Sequence, residues 1–182
     1  MWQSGPITSN DIVFLGDSLT ESFDLVKHFG QENLVNRGMS GDMTDHVLYR
    51  MEEILLAKPT KLFLMIGIND IYQGVDADTV LLNIQKIIQQ IASNSPQTEI
   101  FVQSILPVNE TKLLAYDRLN TLIYSVNEQI QKHCKRSGFT FIDLYPDFLN
   151  QTGQLNADLT YDGVHLNENG YILWAELVRN FI

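Results

Sequence analysis

Three features of the sequence predict an α/β fold built on a mostly parallel sheet with helices on both faces. Short apolar runs rich in β-branched and aromatic residues recur along the whole chain, each closed by a glycine or a turn. Between them lie longer segments whose apolar residues repeat at helical spacing. No Ser/Gly/Pro-rich linker, charge block or internal repeat divides the 182 residues, so one domain over residues 1–182 is expected.

Each element has its own signal. Ile12-Val13-Phe14-Leu15, closed by Gly16, reads as a strand buried on both faces, and Leu34-Val35 as a weaker second strand. Thr44 is then expected to cap a helix bearing Val47, Leu48, Met51, Ile54 and Leu55 on one side, stopped by Pro59. Leu62 to Ile66, closed by Gly67, is the strongest strand, and the stripe Leu81, Ile84, Ile87, Ile88 and Ile91 follows it, with Pro96 at the exit. Ile100-Phe101-Val102 makes the fourth strand, Leu119, Leu122, Ile123, Val126 and Ile130 a helix ending at Gly138, and Phe139 to Ile142 the fifth strand. A last helix after Asn167 carries Leu173, Trp174, Leu177, Val178 and Phe181 on one side.

Composition narrows the function. Twelve Lys and Arg against 22 Asp and Glu give a formal charge of −10, so nucleic acids and anionic membranes meet net repulsion and are poor partners. The single cysteine, Cys134, excludes an intramolecular disulfide and a thiolate zinc site, which fits a reducing compartment. The segment Met1 to Pro6 has neither a basic nor an apolar leader region, and no apolar stretch approaches the ~18 residues of a membrane span. A cytoplasmic protein is expected.

In a parallel sheet, ligands gather beyond the carboxyl ends of the strands, which directs attention to the polar residues there. Ser18 follows the first strand at a strand-to-helix turn, where its hydroxyl either caps the helix or projects as a nucleophile. His165 stands three residues after Asp162 on the loop before the last helix, a spacing that lets the carboxylate accept from Nδ1 and leaves Nε2 as a base. Asn69 follows the third strand and can offer its NH₂ to a developing oxyanion, and Gly41 can offer a backbone N–H or simply supply positive φ. Asp42, Asp45 and His46 resemble metal ligands only superficially, because Asp45 and His46 are adjacent in a helix and face apart, so no metal site is expected. A serine, a glycine amide, an asparagine and an Asp/His pair at one sheet edge are what acyl transfer needs.

Gly16-Asp17-Ser18-Leu19, Gly41, Gly67-Ile68-Asn69-Asp70 and Asp162-Gly163-Val164-His165 resemble the four sequence blocks of the SGNH, or GDSL-type, esterase and lipase family, in order and spacing. The resemblance implies a flavodoxin-like three-layer α/β/α fold with about five mostly parallel strands. It also implies that Ser18 is the nucleophile, that Ser18, Gly41 and Asn69 donate to the oxyanion, and that His165 is the base with Asp162 behind it. It extends to lysophospholipase- and acetylhydrolase-like branches.

The expected activity is therefore hydrolysis of a small-molecule carboxylic ester through an acyl-enzyme, without metal or organic cofactor. Short-chain or acetyl esters are favoured because the short chain shows no lid insertion, with long-chain lysophospholipase or thioesterase activity as the alternative. Asp17, Asp70 and Leu106 are expected beside the substrate, with Phe23, Ile71, Tyr72 and Val108 near the pocket. A flavodoxin-like small-ligand binding module is the competing class, but such a module has no need of His165 paired with Asp162. The sequons at Asn109 and Asn150 carry little meaning without a secretory signal.

Overall fold

The structure, a computed structural model, describes residues 5–113 and 118–182; Met1 to Ser4, part of the segment read for a leader, lie outside the described residues. Five strands form one parallel sheet in the order β2-β1-β3-β4-β5: β1 (Ile12–Gly16), β2 (Leu34–Gly38), β3 (Lys61–Met65), β4 (Glu99–Gln103) and β5 (Thr140–Ile142). Each crossover is helical, through α1 (Ser18–Glu21) and α2 (Leu25–Phe29), then α3 (Thr44–Arg50) and α4 (Glu52–Ala57). Next come α5 (Ile68–Tyr72) with α6 (Ala77–Asn94), and α7 (Glu110–Leu113) with α8 (Leu119–Ser137), while α9 (Glu168–Val178) closes the chain. The predicted α/β class and its five parallel strands are therefore the fold observed.

Alternation along the strands sorts the core into two chemically different layers. Val13, Leu15, Leu62, Leu64, Ile100 and Val102 point to one face, where aliphatic residues of α3, α4, α6 and α8 cover them. Their neighbours Ile12, Phe14, Phe63, Met65 and Phe101 point to the other face, against Phe23, Tyr171 and Trp174. The strand register sets Phe14 opposite Phe63 and Phe63 opposite Phe101, and their rings stack at 4.6 and 4.7 Å. Aromatic pairs across strands add roughly 0.5–1.5 kcal/mol each beyond burial. The buried indole of Trp174 donates to Gln103 Oε1 at 2.7 Å, and Tyr171 Oη donates to Leu19 O at 2.9 Å, so α9 is pinned both to β4 and to the helix that carries Ser18.

Two expectations are corrected. The helix expected from Thr44 to Pro59 is two helices, because the turn breaks at Met51, whose backbone leaves helical geometry at ψ 2°. Thr44 is the first residue of α3 and not its cap; its amide donates to the carboxylate of Asp70, 26 residues away, at 2.9 Å. The sheet order reverses at β1, and such switch points are where parallel sheets bind ligands, beyond the carboxyl ends of the strands. Ser18 stands at that point.

Candidate active site

Ser18 is the first residue of α1, and the cap belongs to the residue before it: Asp17 Oδ1 accepts from Leu19 N at 3.0 Å. With the cap filled by its neighbour, the Ser18 hydroxyl turns to the histidine instead, and Oγ lies 3.0 Å from His165 Nε2. His165 Nδ1 in turn lies 2.7 Å from Asp162 Oδ2. The other carboxylate oxygen, Oδ1, accepts from Val164 N at 2.9 Å and from His165 N at 2.7 Å, so the Asp-Gly-Val-His turn folds around its own aspartate. Partial burial pushes the Asp162 carboxyl up, but the hydrogen bonds from His165 and the two amides outweigh it and hold the group below the usual carboxylate range. An ionised Asp162 orients Nδ1–H toward itself and leaves the Nε2 lone pair facing Ser18.

The loop that carries the pair is fixed from outside. Gly163 has φ +101°, and a Cβ there would meet Asn109 O at 3.0 Å, so only glycine brings the loop this close. Asn109 N donates to Gly163 O at 2.7 Å, its side chain donates to Leu155 O at 2.9 Å, and Thr160 Oγ1 donates to His165 O at 2.7 Å. The sequon asparagine is thus a buried anchor. The ring of Tyr161 stacks on the imidazole at 6.0 Å between centroids and 12° between planes.

Gly41 has φ +81° and nothing within 4 Å of the position a Cβ would take, so conformation, not crowding, is what requires glycine here. Asn69 lies in the first turn of α5, behind an N-cap glycine at φ 127°, and its Nδ2 donates to Asp42 O at 2.8 Å. That bond ties the loop after β3 to the residue following Gly41, while the carboxamide retains a second N–H. The structure thus brings Ser18, His165 and Asp162 into one hydrogen-bonded chain and links the loops of Gly41 and Asn69 to each other.

The residues expected to flank the substrate are arranged differently. Asp17 is 1% exposed, Asp70 1% and Leu106 2%, with Phe23, Ile71 and Val108 also buried. Asp17 and Asp70 accept from backbone amides at helix starts, and Leu106 packs in the aromatic layer beneath the sheet. Burial pushes the Asp17 carboxyl up to about 7, despite the Leu19 amide, and its Oδ2 has no hydrogen-bond partner. The carboxylate of Asp42, weighed as a metal ligand, is held by Arg50 at 2.5 Å. Arg50 and Tyr161 escape sequence reasoning, and Asn109 shows there only as a sequon, because their partners, a carboxylate and carbonyls for Arg50, backbone groups for Asn109 and the imidazole for Tyr161, are brought to them only by the fold.

A family model for the GDSL-like lipase/acylhydrolase family matches residues 14–173, and the chain belongs to that family. It is accordingly a hydrolase of carboxylic esters. Among solved structures it resembles one from Streptococcus pneumonia, provisionally described as a platelet activating factor, at 34% identity and TM-score 0.89 over 96% of this chain and 85% of that one. It is 27% identical over 167 residues to human platelet-activating factor acetylhydrolase IB subunit alpha1, covering 88% of this chain and 70% of that protein. It is also 28% identical over 170 residues to N-acylneuraminate cytidylyltransferase of Streptococcus agalactiae, covering 93% of this chain but only 38% of that protein.

Proposed function

We propose that residues 1–182 act as one catalytic domain that hydrolyses short-chain carboxylic esters, acetyl esters foremost, through a Ser18-His165-Asp162 triad. The observation that carries this reading is the continuous chain from Ser18 Oγ to His165 Nε2 at 3.0 Å and from His165 Nδ1 to Asp162 at 2.7 Å. Neutral His165 accepts the Ser18 proton at Nε2 as Oγ attacks the ester carbonyl. Negative charge moves to the carbonyl oxygen, which receives hydrogen bonds from the amides of Ser18 and Gly41 and from Asn69 Nδ2. The imidazolium then protonates the leaving alcohol, and the acyl group remains on Ser18. Water, deprotonated by the same nitrogen, releases the acid.

The preference for small acyl groups draws support from the acetylhydrolase named among the relatives and from the burial of Phe23, Leu106 and Val108, which offer no open apolar wall to a long chain. Added methylenes that stay wet gain little of the ~0.8 kcal/mol available to a buried CH₂.

One experiment tests both parts. Ser18→Ala is expected to abolish hydrolysis and labelling by a phosphonofluoridate while the protein melts cooperatively, and kcat/KM of the wild type for p-nitrophenyl esters is expected to peak between acetate and butyrate. Turnover surviving in Ser18→Ala removes the nucleophile assignment. A series rising through octanoate moves the assignment to a lysophospholipase or thioesterase.

A further inference from the structure

The three strand-end segments that carry Ser18, Gly41 and Asn69 each place an aspartate beside the donor: Asp17, Asp42 and Asp70. All three are buried, and Asp42 and Asp70 both act electrostatically on Asp17. Asp70 accepts from the amide and hydroxyl of Thr44, whereas Asp17 accepts the Leu19 amide at Oδ1 and has no partner at Oδ2. Asp42 alone is paired with a cation, Arg50 from the last turn of α3.

Arg50 does more than neutralise Asp42. Its Nε donates to Asp42 Oδ2 at 2.5 Å, while Nη2 donates to Gly16 O at 3.0 Å and to Arg37 O at 2.9 Å. Gly16 ends β1 two residues before Ser18, and Arg37 lies near the end of β2, four residues before Gly41. Asp42 follows Gly41, and its carbonyl holds Asn69. One planar guanidinium, only 13% exposed, therefore touches the segments of two oxyanion donors directly and reaches the third through Asp42. A rigid fork of donors suits this arrangement and a lysine ammonium does not.

The geometry points to Arg50 as a positioning residue for the oxyanion site, holding Gly41 and Asn69 in register with Ser18 and offsetting the charge of Asp42 next to Gly41. Arg50 touches no reacting atom in this account; it acts through Gly16, Asp42 and Asn69. The inference rests on the Ser18 reading above. Because the oxyanion exists only in the transition state, a misplaced hole lowers kcat and leaves ground-state binding nearly unchanged.

The test compares Arg50→Gln and Arg50→Lys with Ser18→Ala, using p-nitrophenyl acetate and active-site titration with a phosphonofluoridate, so that kcat is expressed per labelled serine. Arg50→Gln is expected to lower kcat per labelled site about 10- to 100-fold, the range a displacement near 1 Å produces, with KM within about twofold. Arg50→Lys retains the charge and is expected to lose less than Arg50→Gln, but still about tenfold, because the fork is gone. A purely structural role would reduce the number of labelled sites and leave the rate per site unchanged, which overturns the inference. So does a rise in KM alone, or wild-type kcat in either variant. If Arg50→Gln does not fold, Arg50→Lys decides, and failure of that variant to fold makes Arg50 a scaffold residue and overturns the inference too. Turnover in Ser18→Ala overturns the nucleophile reading and this inference with it, whereas an inactive Ser18→Ala beside fully active Arg50 variants overturns this inference alone.

Discussion

At the scale of single residues, the site is surrounded by carboxylates whose environments separate their tasks. Asp162 sits on a partly exposed turn and is held low by His165 and two amides, so it stays charged behind the imidazole. Asp17, one residue from the proposed nucleophile, is fully buried and pushed up to about 7, so it is largely neutral below that pH. The two have opposite consequences for stability. A carboxyl raised on folding binds more protons in the native than in the unfolded state between its ordinary value near 3.8 and about 7. Its contribution is full below the ordinary value and is lost as pH rises through 7. Asn at position 17 can still accept the Leu19 amide but cannot ionise. Asp17→Asn is therefore expected to gain stability relative to wild type as pH rises from 4 to 7.5, by about 1.4 kcal/mol for each pH unit over which the two protonation states differ. Urea denaturation of both proteins across that range measures it. A constant difference between the two curves would mean that Asp17 does not titrate in the folded protein.

At the scale of elements, the clearest demand on sequence is the contact between α1 and β2. A Cβ on Gly38 would lie 2.1 Å from Glu21 N and 2.6 Å from Glu21 Cα and Thr20 C, all backbone atoms that cannot swing away. Asn36 reinforces the contact by donating to Thr20 O at 2.6 Å and to Phe23 O at 3.0 Å. Gly38→Ala must push α1 away from the sheet, and with it Ser18. We expect a loss of about 1–3 kcal/mol in stability together with a fall in kcat, read from chemical denaturation and steady-state rates on the same preparation. Unchanged kcat with reduced stability would mean that α1 yields without moving the serine. The strands were legible as unbroken apolar runs closed by turn residues, and the long helices because their period of 3.6 persists over several turns. The four- and five-residue helices α1, α2, α5 and α7 left no periodic signal, since each is little more than one turn and the period never recurs. The functional blocks were legible as local strings, Asp162 to His165 above all. Their supports were not: the acceptor for the Thr44 amide is Asp70, and Arg50 binds carbonyls 13 and 34 residues upstream, contacts that exist only once the strand order is set.

At the scale of the whole molecule, charge is the property that reaches the substrate before any side chain does. The chain carries a net −10, and the arginines nearest the proposed site, Arg37 and Arg50, are committed to Glu53 and Asp42. Among the described residues no helix is long and apolar enough to cross a membrane. The acidic group nearest solvent in the proposed site is the partly exposed Asp162, hydrogen-bonded to His165, within a chain whose net charge is negative. Such a field lowers the local concentration of anionic substrates and raises that of cationic ones, and added salt screens it over a Debye length of about 10 Å at 0.1 M. Three acetate esters of matched leaving-group acidity, one carrying a trimethylammonium group, one neutral and one carrying a carboxylate, are expected to rank in that order in kcat/KM at low ionic strength. The spread should reach about tenfold, the lower end of electrostatic focusing, and contract toward unity above roughly 0.5 M salt while the neutral ester changes little. Because the effect acts on encounter and binding, kcat should remain nearly equal across the three. A ranking that survives high salt would instead assign the preference to short-range contacts in the alcohol pocket, and a flat series at low salt would show that the net charge does not reach the reacting serine.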